Sequence, residues 1–97
     1  MIYKYADSII KKPHDYESIE VHGVRDSLHQ ESGTETHIEI DNKNPQFFSV
    51  YVRLKEGCLD CVGDFSLRTD ATDYAAEISK GYGFNWPIHN YTTDQTT

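Results

Sequence analysis

The stretch FFSVYVRL, residues 47–54, constrains the fold more than any other part of the chain. Phe48, Val50, Val52 and Leu54 alternate with Phe47, Ser49, Tyr51 and Arg53, which is the two-residue period of a strand with opposed faces. Lys55-Glu56-Gly57 then suits a tight turn, and CLDCVGDF reads as the returning strand of a hairpin. In an unbroken strand Leu59, Cys61 and Phe65 point one way, and Cys58, Asp60, Val62 and Asp64 the other.

Two further strands precede this hairpin. ESIEVHGV, residues 17–24, turns Ile19 and Val21 inward and Glu20 and His22 outward, ending near Gly23. RDSLHQESG is polar and reads as a loop, THIEI as the second strand, and DNKNPQ as a turn whose Pro45 is barred from a central sheet position. IYKYADSIIKK spaces Ile2, Tyr5, Ala6, Ile9 and Ile10 for a short helix ended by Pro13, with a strand as the alternative. A second helix starts near Thr69 as cap, carries Asp70 and Asp73 in its first turn, and ends near Lys80 and Gly81. Its apolar stripe is Ala71, Tyr74, Ala75, Ile78 and Tyr82. FNWPIHNY has enough apolar content to pack back as a coil or short strand, with Trp86 in the core.

The expected fold is therefore α+β: about four antiparallel strands in a meander, with a C-terminal helix and a short N-terminal helix on one face. One domain spans residues 1–97, with 90–97 as a loose tail. Aromatic residues at 12% argue for a packed core rather than disorder. No apolar run approaches the ~18–20 residues of a membrane span, and the first ten residues lack a signal-peptide layout, so a soluble intracellular protein is expected.

Sixteen acids against nine bases give a formal charge of −7, and the charge is unevenly placed. Residues 13–41 hold eight acids and only Arg25, and residues 56–77 hold six acids and only Arg68. Direct nucleic-acid binding needs clustered cations, so this distribution excludes it and favours basic partners. A solvated acidic surface that aids solubility is the plainer alternative. ETHIEID, residues 35–41, sets Glu35, His37, Glu39 and Asp41 on one side of a strand. Acids at i and i+2 lie ~6.6–6.8 Å apart, close to the spacing of phosphates along a nucleic-acid strand. With the helices covering one sheet face, Glu20, Glu35, Glu39, Asp41, Asp60 and Asp64 would share the other. Asp70, Asp73 and Glu77 would add a helical row. These nine carboxylates are the candidate partner-binding residues, able to dock with Arg and Lys side chains that otherwise grip phosphate.

Other chemistry finds less support. Cys58 and Cys61 form a CxxC, but on an extended strand they face opposite sides and no second ligand pair follows at finger spacing. A redox CxxC belongs at a helix N-terminus, and this one follows a turn, so structural thiols are expected. The histidines 14, 22, 29, 37 and 89 make no HxH or HExxH, although His22 and His37 could meet across strands. No GxGxxG, P-loop or GxSxG occurs. Neither a cofactor nor a metal is expected, and no enzyme activity.

In a short acidic α+β chain, VHGVRD, ETHIEID, GCLDCVGDF and TDATDYAAEISKGYG resemble the small phage and mobile-element proteins that counter host defence. The resemblance is to anti-CRISPR proteins directed at type I-F systems, the DNA mimics in particular. That group shares no signature motif, so no binding residue carries over. The resemblance implies a non-enzymatic inhibitor in the cytoplasm of a host bacterium. Such an inhibitor would occupy the cationic cleft where a surveillance complex reads the PAM and admits target DNA. Tyr51, Phe47 and the 82–86 region are candidates for apolar anchoring. The alternative is a small acidic interaction module, antitoxin- or adaptor-like, that neutralises another basic protein.

Overall fold

A computed structural model describes residues 4–26, 38–82 and 86–92. In chain order the elements are α1 (Lys4–Ile9), a 3-10 turn (Pro13–Asp15), β1 (Tyr16–Asp26), β2 (Ile38–Ile40), β3 (Phe47–Leu54), β4 (Leu59–Phe65), α2 (Arg68–Gly81) and β5 (Ile88–Asn90). The α+β class, the antiparallel sheet and both helices are those expected from the sequence. The short strand β5 forms within FNWPIHNY, whose composition suits either a coil or a short strand. Residues 27–37, with Glu35 and His37, lie outside the described residues, as do 93–97. Residues 90–92, expected as the start of a loose tail, are instead held to the sheet: Asn90 pairs with Val21 in β5, Tyr91 N–H donates to the Val21 carbonyl, and Thr92 is buried.

The strand order is β2-β1-β3-β4, with β5 pairing in parallel with β1. A meander would put β2 between β1 and β3; instead β1 pairs directly with β3. The physical reason is length. β1 has eleven residues and β3 eight, so together they satisfy one another's backbone groups, which three-residue β2 cannot do for β3. β2 and β5 divide the other edge of β1, β5 against Ile19–Val21 and β2 against Val24–Asp26.

The core lies between the sheet and the helices. Ile19, Val21, Val50, Val52 and Val62 meet Ala71, Ala75 and Ile78 of α2, with Ala6, Ile10, Tyr16 and Trp86 closing the cluster. Trp86 packs edge-on to Tyr16 and stacks near Tyr82, so it is a core residue as expected. Helix α2 follows the apolar stripe read from the sequence but starts one residue before Thr69. Its N-cap is Leu67, without a side-chain cap, and Thr69 sits inside the first turn with its carbonyl accepting from Thr72 Oγ1.

The hairpin closes at Lys55-Glu56-Gly57, where Gly57 N–H donates to the Leu54 carbonyl at 2.8 Å and Gly57 adopts φ +117°, a conformation glycine tolerates. The strand β4 is not regular. Val50 faces Gly63 whereas the next residue, Tyr51, faces Cys61, so Val62 is an extra residue in β4, a β-bulge. The bulge restarts the alternation: Asp60 shares the helix face with Val52, and Cys61 and Leu59 share the opposite face with Tyr51 and Arg53. Val62 thereby enters the core, fully buried, although strict alternation had placed it outward with Asp60 and Asp64. Gly63 lies beneath Tyr74, whose ring carbon would stand 2.8 Å from an added Cβ.

Two substitutions test this packing by thermal unfolding. Ile78→Ala should cost about 2–4 kcal/mol, through lost burial and the cavity left against Val50 and Val52. Gly63→Ala should cost about 1–3 kcal/mol, because Tyr74 is pinned by its hydroxyl donating to the Val62 carbonyl at 2.9 Å and has little room to retreat.

Candidate partner-binding surface

Among the described residues the strand acids do not assemble into one surface, and Glu35 lies outside them. Glu20 is 3% exposed: β1 is buried on both faces, continuously from Ser18 to Val24. Its carboxylate accepts from Arg53 Nε through one oxygen and from His22 Nε2 through the other, the latter at 2.8 Å. Burial pushes the Glu20 carboxyl up, but these hydrogen bonds and the charge of Arg53 overcome it and hold the group below the usual 4.5. Glu20 is thus an internal anion, not part of a docking face. His22 is likewise inside, stacked on Tyr91 with ring centroids 4.6 Å apart and edge-on to Tyr51 at 5.6 Å.

The remaining strand acids scatter for separate reasons. In the β1–β2 register Glu39 faces Arg25, which puts it on the opposite side from Glu20; Ile40, facing Val24, takes the side expected for Glu39. Glu39 is exposed there, and Ile40 is 47% exposed. Asp41 folds its carboxylate back on the turn, accepting from the backbone N–H of Lys43 at 3.1 Å and of Asn44 at 3.0 Å. Asp60, carried to the helix face by the bulge, accepts from the Tyr16 hydroxyl at 2.7 Å. Burial, reinforced by that bond, raises Tyr16 to about 12. Asp64 accepts from Ser49 Oγ at 2.5 Å and is exposed at the sheet edge.

Three of the nine candidates do converge. Asp70, Asp73 and Glu77 are exposed on α2 and line, with Phe65 and Tyr74, a shallow groove of about 260 Å³. Their spacing of three and four residues places their Cβ atoms ~5–6 Å apart along one helical row. Phe65 and Tyr74 form the floor, ring centroids 5.0 Å apart. A groove with an aromatic floor and a carboxylate rim suits the stem and charged head of a Lys or Arg side chain. A larger hollow, about 300 Å³, is lined by Asp15, Leu54, Lys55 and Glu56, and its mixed charge gives it no such preference.

Both cysteines are free thiols in this geometry. Cys58 is exposed, whereas Cys61 lies on the second sheet face with its sulfur 3.4 Å from Asp64 Oδ1 and 3.7 Å from the Gly63 carbonyl. Burial raises the Cys61 thiol to about 11, which leaves little thiolate to act as a nucleophile near neutrality. Among the described residues no three His, Cys, Asp or Glu side chains come together as metal ligands. Nor is any described helix long and apolar enough to cross a membrane.

Sequence reasoning missed the Glu20–Arg53–His22 cluster. A signal was present in Arg53, the only cation in the FFSVYVRL alternation, on the side given to Ser49 and Tyr51. Compared with protein-family models, curated proteins and solved structures, the chain finds no match.

Two measurements check this geometry. A carboxyl lowered by folding stabilises above its unfolded value and loses that contribution as pH falls through its folded value. Melting temperature should therefore decline as the pH drops below about 4.5, and Glu20→Gln should flatten that acid limb while lowering stability at neutral pH. In a thiol-labelling time course at pH 7.5, Cys58 should react first and Cys61 slowly; equal rates would contradict the burial of Cys61.

Proposed function

We propose that the chain is a non-catalytic binding protein that presents an acidic surface to a cationic, DNA-holding partner. The observation that carries this reading is the row Asp70, Asp73 and Glu77 along the Phe65–Tyr74 groove, on a chain of net charge −7. Carboxylates so spaced take the Arg and Lys side chains that otherwise hold phosphate, and by occupying them exclude DNA through mass action. In the form that the sequence resemblance suggests, the partner is a type I-F CRISPR surveillance complex in a bacterial cytoplasm. The chain then acts as a DNA mimic in the PAM and target-DNA cleft. Helix α2 leads this contact, and Glu20 has a purely internal role. The aromatic floor of the groove favours a second reading, an acidic module that captures a basic segment of another protein.

The test is a competition assay between the purified chain and target duplex for a type I-F complex, with a pull-down in parallel. The chain should displace DNA, and its binding should weaken steeply between low and high salt because its ion pairs are exposed. Asp70→Lys, Asp73→Lys and Glu77→Lys together should abolish binding while leaving circular dichroism and melting temperature close to the parent. Full inhibition by this triple variant would remove α2 from the interface. Binding to a basic protein without DNA displacement would select the second reading.

A further inference from the structure

A proton-sensitive contact is built into the join between β1 and the turn that follows β2, and it involves none of the α2 acids. Asn42 Oδ1 accepts from the Gly23 backbone N–H at 2.6 Å, which fixes the orientation of the Asn42 amide. Its NH2 group therefore faces His22 Nδ1, 3.3 Å away, and can only donate. His22 Nδ1 must then be the unprotonated nitrogen and Nε2 the protonated one, donating to Glu20 Oε1 at 2.8 Å. Each polar group in the chain Gly23–Asn42–His22–Glu20 is matched only while the imidazole carries a single proton.

We propose that His22 acts as a latch on the segment 41–46: a second proton on its ring sets Nδ1–H against the Asn42 NH2 group and breaks the Asn42 clamp on Gly23. Two donors then face each other, and no rotation of the amide satisfies both neighbours. If Asn42 turns its oxygen to His22, its NH2 confronts the Gly23 N–H; if it swings to solvent, the Gly23 N–H loses its acceptor. Asn42 is exposed and has room to turn, whereas Gly23 is buried and cannot exchange its lost partner for bulk water. The pH at which the latch opens is set by the groups around the ring. These are Glu20 on β1, Arg53 and Tyr51 on β3, Tyr91 in the turn after β5 with His89 of β5 beyond it, and Asp64 on β4 acting through Ser49, which faces His22. What opens is set by Asn42 alone. Because Gly23 also accepts from the Asp41 N–H at 2.8 Å, release of Asn42 loosens the attachment of β2 to the edge of β1.

The experiment is nitrogen-15 NMR on the whole chain between pH 8 and pH 5. At pH 8 the His22 ring should give the Nε2–H tautomer pattern. As the ring titrates, the Gly23 amide should lose about tenfold in hydrogen-exchange protection, following the ring signal, while Val50 in the central sheet keeps its protection. Asn42→Asp should reverse the response, since a carboxylate accepts from both Gly23 N–H and a doubly protonated ring, and His22→Gln should abolish it. An Nδ1–H tautomer at pH 8, or a Gly23 amide indifferent to the ring, overturns the proposal even if both variants fail to fold. An unchanged acid response in a folded Asn42→Asp variant overturns it as well.

Discussion

The burial of β1 on both faces governs the rest of this molecule. One face meets α2 through Ile19 and Val21, an ordinary apolar seam. The other carries Glu20, His22 and Val24, all nearly inaccessible. A charge in such a place is tolerable only when its lone pairs are occupied, and Arg53 and His22 occupy them. That requirement fixes how β1 and β3 lie against each other: Glu20 faces Tyr51, with Arg53 two residues along. A slip of one residue would send every one of these groups to the wrong side. The polar cluster thus contributes to register, where apolar side chains alone would be less discriminating.

Much of the architecture was legible in the sequence because its signals were local. The alternation of residues 47–54, the turn at Gly57 and the stripe on α2 each depend on neighbours within a few positions, and each appears in the structure. What the sequence hid was pairing. The bulge at Val62 leaves no mark in CLDCVGDF, yet it moves Asp60 to the helix side and Cys61 to the opposite side. The sidedness of Ile40 and Glu39 depends on which residue of β1 they face, a matter of register rather than composition. Glu20 read as a surface acid because glutamate usually is one; only its juxtaposition with Arg53, 33 residues later, reverses that.

The same distinction sorts the acids by use. Glu20, Asp41, Asp60 and Asp64 each accept a hydrogen bond from a group of the fold itself, and their charge is partly spent there. Asp70, Asp73 and Glu77 are exposed together along one groove. A net charge near −7 is therefore a poor guide to a docking face until the internal anions are subtracted. The helix, with one regular period, preserves the spacing that the strands lose to bulges and turns.

The outer edge of β1 is completed by two three-residue strands drawn from opposite sides of the long hairpin, β2 at one end and β5 at the other. Ribosomal synthesis delivers β1 early and residues 88–90 roughly seventy positions afterwards. Throughout that interval the backbone groups of Ile19–Val21 on this side have no native neighbour. Completion of the sheet is consequently a late, long-range closure, and the nascent chain carries an open pairing edge until then.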